Sequence, residues 1–331
     1  MRFPTIAFLI ALLISYFLTP FVRKIAISSG AIDQPDARRV HKEPTPRWGG
    51  LAIYAGVLFA LTIVNTFGYI WDKRFVWHEW SAGLMLIGGL IVLMGALDDK
   101  YQFSAITQML FLLCMGVVVQ LFGVQIQGIS KPFAPSKPDY DAHTMWLALG
   151  GLTMPITAIW IFVVTKTMDT IDGLDGLAAG VGAIAAAAIA LLALQARQPE
   201  VALLSAAGCG AAVGFLKHNY NPAKIFMGTG GSQFLGFLLA GLAIIGTYKT
   251  ITVVVMAVSL LVFGLPLIDA FVVVLRRLRS GQPIYKADKR HLHHQLLDIG
   301  LNQRQAVLIL YAVAIALGIT AVLIFKFARA H

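Results

Sequence analysis

Charge is scarce in this chain. Asp, Glu, Lys and Arg make up 13% of its 331 residues, about half the share of roughly 25% found in a soluble domain. That scarcity excludes a solvated globular protein. Cysteine is scarcer still: only Cys114 and Cys209 occur, each inside a separate apolar segment. They form no disulfide framework and read as free, buried thiols that carry no redox information. There is no low-complexity tract and no convincing internal repeat, which argues against a transporter built from repeated halves. A net charge of +10 and a pI of 9.7 suggest nucleic acid at first sight. The excess is mostly loop Lys and Arg that set membrane orientation, so no nucleic-acid partner is expected.

Apolar sequence fills the space that charge leaves, with 58% apolar residues and a mean hydropathy of +0.77. Apolar runs of about 17–25 residues are long enough to span a bilayer. Ten are predicted, at 4–22, 49–69, 80–97, 104–123, 146–165, 177–195, 200–216, 232–247, 250–274 and 306–327. Arg23-Lys24 follow the first run with no small-residue cleavage pattern, so it reads as a retained helix rather than a signal peptide. The Ala- and Gly-rich sixth span, and Gly210 and Gly214 in the seventh, read as tightly packed interior helices. The expectation is an all-α polytopic membrane protein: a single integral domain over 1–331, with about ten transmembrane helices around a cytoplasm-facing cleft. Ten spans put both termini on one side. Seventeen of the 26 Lys and Arg fall in loops 23–48, 98–103, 166–176, 217–231 and 275–305. The positive-inside rule makes those loops cytoplasmic and both termini external.

Four polar groups punctuate the spans at cytoplasmic ends: Asp98-Asp99, the run Asp169 to Gly176, the stretch Asn219 to Ser232, and Arg290, His291, His293 and His294. Residues this polar are costly in hydrocarbon, and their convergence points to a polar substrate. Phosphate chemistry needs what they supply: carboxylates for a divalent cation, glycines for close backbone approach, and cations for anionic oxygens. Asp98 and Asp99 point about 100° apart if helical, so they bind one ion differently or divide the work; the alternative is a hydrated helix end. Asp169, Asp172 and Asp175 recur every third residue and fall near one face if helical. Three such carboxylates need a cation, either Lys166 or Mg²⁺, and Gly173 and Gly176 suit a broken helix end lining a cavity. The alternative is a solvated loop. The stretch Phe226 to Ser232 offers glycines and hydroxyls, Thr229 among them, at a helix N-terminus that suits an anionic oxygen; ordinary turns use the same residues. The histidine group fits a cationic cradle for diphosphate and sugar better than zinc, for which no further ligand is near. Loop 23–48, from Asp33 through Arg38, Arg39 and His41 to Pro46, Arg47, Trp48, Gly49 and Gly50, either contacts phosphate or only sets topology.

Taken in order, these motifs resemble the polyprenyl-phosphate N-acetylhexosamine-1-phosphate transferases over about residues 30–305. The marks are Asp33-Gln-Pro, Arg38-Arg-Val-His41, Pro46-Arg-Trp-Gly-Gly50, Leu97-Asp-Asp99, Asp172-Gly-Leu-Asp175-Gly-Leu-Ala, Asn219-Tyr-Asn221-Pro-Ala-Lys224-Ile-Phe-Met-Gly and Asp288-Lys-Arg-His291-Leu-His293-His294. The His-Leu-His-His form looks most like the branch that starts teichoic acid or lipopolysaccharide O-antigen. The resemblance implies a multi-pass enzyme of the bacterial cytoplasmic (inner) membrane, dependent on Mg²⁺ or Mn²⁺. It implies transfer of a sugar 1-phosphate from a UDP-N-acetylhexosamine to undecaprenyl phosphate, releasing UMP and initiating a lipid-linked cell-envelope glycan. Asp98, Asp99 and Asp172 are then catalytic, and Asp99, Asp169 and Asp172 ligate metal. Lys166, Asp175, Asn221, Thr229, Arg290, His291, His293 and His294 bind substrate. A homodimer is an open arrangement. A relative that binds lipid phosphate or nucleotide sugar without turnover, as a partner in glycan assembly, is the alternative. A CDP-alcohol phosphotransferase fits poorly, because no Arg follows the Asp-Gly motif at that family's spacing.

The chain departs from the family's usual pattern at polar positions. Lys166 and Asp169 stand where the family has Asn, Thr229 where it has Asp, Gln108 where it has Lys, and Leu112 where it has Gln. One Asp and one Lys are lost and one of each is gained. That balance predicts a relocated site, with Asp169 taking the metal-ligand duty and Lys166 the anion-binding duty.

Overall fold

The computed structural model describes residues 2–35, 43–71, 78–130, 146–247 and 292–330, with isolated positions between 264 and 275. Among them, nine helices are long and apolar enough to cross a membrane. The tenth expected span, 250–274, lies almost wholly outside the described residues.

Helix α1 (Arg2–Ser28) buries Ala7, Ala11, Ser15 and Thr19, a stripe recurring every four residues. It faces α7 (Pro199–Asn219). Gly210 and Gly214 of α7 meet the carbonyls of Phe8 and Leu12 directly, because no Cβ keeps the two backbones apart. The opposite face of α1 presents Leu9, Leu13, Phe17 and Phe21 outward, as a lipid-facing helix does. Helix α8 (Gly228–Thr247) is the innermost. Phe234, Leu235, Phe237, Leu238, Leu239 and Ala240 on it are all 0% exposed. Around it stand α2 (Gly49–Trp71), α3 (Glu79–Tyr101), α5 (Thr153–Thr170) and α6 (Leu177–Gln195). Helix α4 (Ala105–Val118) packs on α5, and α10 (Gln303–Ala330), which follows the short α9 (Leu292–Asp298), packs on α6.

Two-stranded ribbons cap the bundle. Strands β1 (Ile32–Asp33) and β2 (Thr45–Pro46) pair antiparallel beside the site described below. Strands β3 (Gly128–Ser130) and β4 (Trp146–Ala148) pair at the other end. The fifth span therefore differs from expectation. Residues 146–148 form a strand, and α5 runs from Thr153 to Thr170, carrying Lys166 and Asp169 inside a helix rather than a loop.

The first turn of α8 is wedged between two neighbours. A Cβ on Gly50 of α2 would strike the backbone of Gly231, and one on Gly95 of α3 would strike Gly230. Glycine on both sides lets the three backbones touch. This contact brings the C-terminal end of α3 against the start of α8.

Candidate active site

The carboxylates of Asp98 and Asp99 diverge, as adjacent helical positions must. Asp98 Oδ1 accepts the N–H of Phe103 at 2.9 Å and the Gln108 amide at 2.9 Å, bracing the short link from α3 to α4. Asp99 turns the other way. Its Oδ1 accepts from Arg47 Nη1 at 3.2 Å and from the N–H of Thr229 at 3.1 Å. Its side chain is 1% exposed, and among the described residues Oδ2 has no hydrogen-bond partner. Arg47 also holds Asp33 Oδ1 at 2.7 Å, so the β1–β2 ribbon delivers one guanidinium between two carboxylates.

One donor of the stretch Phe226 to Ser232 is used within the protein. The Thr229 N–H at the start of α8 is given to Asp99, not left for a substrate oxygen. The helix N-terminus does attract an anion, but that anion is the protein's own.

Lys166 and Asp169, one turn apart on α5, are paired at 2.6 Å. Lys166 Nζ also donates to Gln108 Oε1 at 2.8 Å. Asp169 Oδ1 accepts from Ser232 Oγ at 2.9 Å, and Oδ2 from Gln233 Nε2 at 3.4 Å. Both charges of α5 thus reach side chains on other helices. Lys166 reaches position 108, and Asp169 bonds Ser232, which in turn donates to the Thr229 carbonyl at 3.3 Å.

The three-residue Asp spacing is not a helical stripe. Helix α5 stops at Thr170, Gly176 takes φ +82°, and Asp172 and Asp175 lie in the turn between. Asp175 Oδ2 accepts from Asn221 Nδ2 at 2.9 Å and from the N–H of Ala223 at 3.0 Å. Asn221 Nδ2 also donates to Gln303 Oε1 at 2.7 Å. Asn219 Oδ1 accepts the Gly176 N–H at 3.1 Å, and Tyr311 Oη donates to the Gly176 carbonyl. Asp175 and Asn221, expected to bind substrate, are bonded to each other and brace the turn against α7 and α10. Asp172 differs from them: no hydrogen bond holds its carboxylate among the described residues. Burial, and then the charges of Asp169 and Asp99, push its carboxyl up to about 8, against the pull of Arg47.

Among the described residues no three His, Cys, Asp or Glu side chains form a ready-made metal site. The charges of Asp99 and Asp169 both act on Asp172, but the three carboxylates make no closed shell. Mg²⁺ commonly takes one or two carboxylates and completes its coordination with substrate phosphate and water. The unpartnered Oδ2 of Asp99 and the unbonded carboxylate of Asp172 fit such an open set. Arg290 and His291 lie outside the described residues. His293 and His294 fall on α9, and their side chains are likewise outside the description.

Several site residues carried little local signal. Arg47 reads from sequence as one cation of a basic loop, and Ser232 as one hydroxyl of a glycine-rich turn. Gln108 reads as a lost lysine. Their significance lies in what other helices bring to them.

A family model described as Glycosyl transferase family 4 matches residues 81–247. The chain is 35% identical over 320 residues to a probable undecaprenyl-phosphate N-acetylglucosaminyl 1-phosphate transferase of Bacillus subtilis (strain 168), covering 96% of this chain and 84% of that protein. It is 32% identical over 321 residues to a decaprenyl-phosphate N-acetylglucosaminephosphotransferase of Mycolicibacterium smegmatis, covering 92% and 77%. It is 28% identical over 301 residues to an undecaprenyl-phosphate alpha-N-acetylglucosaminyl 1-phosphate transferase of Escherichia coli (strain K12), covering 89% and 77%.

Proposed function

The chain belongs to glycosyl transferase family 4, and on that premise we propose that it transfers N-acetylglucosamine 1-phosphate from UDP-N-acetylglucosamine to undecaprenyl phosphate, releasing UMP. The observation that carries this reading is the gathering of Asp98, Asp99, Asp169, Asp172, Arg47 and Lys166 at one end of an apolar helix bundle. A lipid phosphate and a nucleotide diphosphate can meet there, one from the bilayer and one from water.

In the reaction, an oxygen of the acceptor phosphate attacks the phosphorus attached to the sugar. A new P–O–P bond forms, the bond to the UMP phosphate breaks, and its electron pair leaves with UMP. Both hydrogen bonds of Asp98 fall on Oδ1, which leaves Oδ2 to orient the acceptor or take its proton. Lys166 uses two N–H groups within the protein and keeps a third for an anionic oxygen. Arg47 offsets charge beside Asp99. Asp99 and Asp172 would hold Mg²⁺ or Mn²⁺. When bound, that ion supplies positive charge against the diphosphate. Arg290, His291, His293 and His294 would cradle the diphosphate and sugar. The positive-inside count supports a cytoplasmic site and external termini, in a bacterial inner membrane where the product starts a cell-envelope glycan.

The experiment is incubation of purified protein with Mg²⁺, undecaprenyl phosphate and a panel of UDP-sugars, with mass spectrometry of the lipid. The expected product is undecaprenyl-diphosphate-N-acetylhexosamine. No lipid product with any donor would overturn the proposal and favour a binding protein without turnover.

A further inference from the structure

Gln108 on α4 lies between two opposite charges from different helices. Its Nε2 donates to Asp98 Oδ1 on α3 at 2.9 Å, and its Oε1 accepts from Lys166 Nζ on α5 at 2.8 Å. A carboxylate can only accept and an ammonium can only donate, so the amide has one orientation. Lys166 continues the chain to Asp169, and Asp169 to Ser232 on α8. One hydrogen-bonded path therefore crosses four helices, and Gln108 is its only neutral amide link.

What Gln108 prevents matters as much as what it bonds. Asp98 is 8% exposed, and a half-buried cation and carboxylate that share a neighbour attract each other strongly. With no amide between them, Lys166 and Asp98 would close into a direct pair. That pair would compete with Asp169 for Lys166, and Asp98 Oδ1 would then be held by the Phe103 N–H alone. We propose that Gln108 is a positioning residue. It keeps Lys166 on Asp169 with its third N–H available to an anion, and it fixes Asp98 by Oδ1 so that Oδ2 is presented to the acceptor phosphate. This inference rests on the proposed transfer reaction and adds to it a residue that acts through two others.

The test uses the full chain in detergent micelles and two substitutions at Gln108, one of them made also in an Asp98→Asn background. Gln108→Met keeps the length and removes the hydrogen bonds to Asp98 and from Lys166, with the longer one to the Phe103 carbonyl at 3.4 Å. It should lower kcat about 10- to 100-fold with the donor KM within about twofold, the signature of a lost transition-state interaction rather than lost binding. In an Asp98→Asn background the same change should cost less than about threefold, because the two residues act as a unit. Gln108→Glu separates positioning from mere packing. A protonated Glu donates through its O–H to Asp98 and accepts from Lys166, reproducing the amide; an ionised Glu can only accept. Among the described residues the charged groups at this position are Asp98 from α3 and Lys166, with Asp169 behind it, from α5. The kcat of Gln108→Glu should therefore fall with rising pH in a step the unaltered enzyme lacks, toward the level of Gln108→Met. A fully active Gln108→Met, a Gln108→Glu that follows the unaltered pH profile, or costs that multiply in the Asp98→Asn background would overturn the role. The Glu comparison is internal to one protein and stands even where Gln108→Met does not fold. An unaltered protein that releases no UMP would refute the transfer reaction itself. An active one with these contrary results would refute only the role of Gln108.

Discussion

The N–H of Thr229 donates to Asp99 Oδ1 at 3.1 Å, so a carboxylate from the end of α3 caps the first turn of α8. Negative charge is stabilised at a helix N-terminus, and here it adds to the Arg47 pairing in holding a buried acidic group. Gly228 makes the approach possible. Its φ is +73°, and a Cβ there would collide with Asp99 Oδ2. Gly228→Ala is expected to displace Asp99, lower UMP release at least about tenfold and cost roughly 1–3 kcal/mol of stability through strain. Turnover assays with thermal melting check this; unchanged activity and melting would contradict it.

The exchange of charges at the site predicts a specific rescue. Asp169→Asn removes the negative charge that pairs with Lys166 and leaves one acceptor oxygen where Lys166 and Ser232 now use two, and it should abolish transfer. Adding Thr229→Asp to it should recover part of the rate, because position 229 lies three residues from Ser232 in the same turn. Coupling between the two changes is read from a double-mutant cycle. A silent Asp169→Asn, or two effects that simply add, would show that the charges have not traded places.

Metal and proton are expected to compete at Asp172. Its carboxyl is raised from 3.8 to about 8, so between those values the folded protein holds a proton that the unfolded chain has released. Without metal, stability should therefore fall as pH rises through this window. Mg²⁺ binding to the ionised carboxylate must displace that proton, so Mg²⁺ affinity should increase with pH, about tenfold per unit below the raised value. Calorimetry in buffers of different ionisation enthalpy counts the proton released. Asp172→Asn should flatten the pH dependence, and EDTA should stop turnover in the unaltered enzyme.

Much of the fold was legible because an apolar run must span a bilayer and satisfy its own backbone; nine of the ten expected spans overlap described helices. The ends were less legible. Lys166 and Asp169 look like loop residues, yet α5 carries both, because each is paired with the other and with Gln108, Ser232 and Gln233. Trp146, Leu147 and Ala148 look like the start of a span, yet they pair with β3. At the site, carboxylates announced themselves by their cost in hydrocarbon. Their partners did not. Arg47 and Asp99 are 52 residues apart, and Asp169 and Ser232 are 63 apart, so no local spacing links them. Nor does spacing distinguish Asp172, whose carboxylate has no hydrogen bond among the described residues, from Asp175, which braces a turn.

The excess of Lys and Arg in one set of loops predicts the orientation in the membrane. Glu79 starts α3, and Lys224 lies near the inner end of α7, at opposite ends of the bundle. Single cysteines at these two positions, in a background lacking Cys114 and Cys209, should react from opposite sides. Lys224→Cys should be protected from an impermeant reagent in intact cells, and Glu79→Cys should react. The reverse pattern would invert the topology.

The most direct test of the central claim follows the two phosphorus atoms of the donor separately. Purified protein is given undecaprenyl phosphate, Mg²⁺ and UDP-N-acetylglucosamine labelled either at the uridine-linked phosphorus or at the sugar-linked one. Sugar 1-phosphate transfer predicts that the sugar-linked label enters the lipid phase and the uridine-linked label remains in water as UMP. Both labels left in water as UDP beside a glycosylated lipid, or no label in the lipid at all, would contradict it.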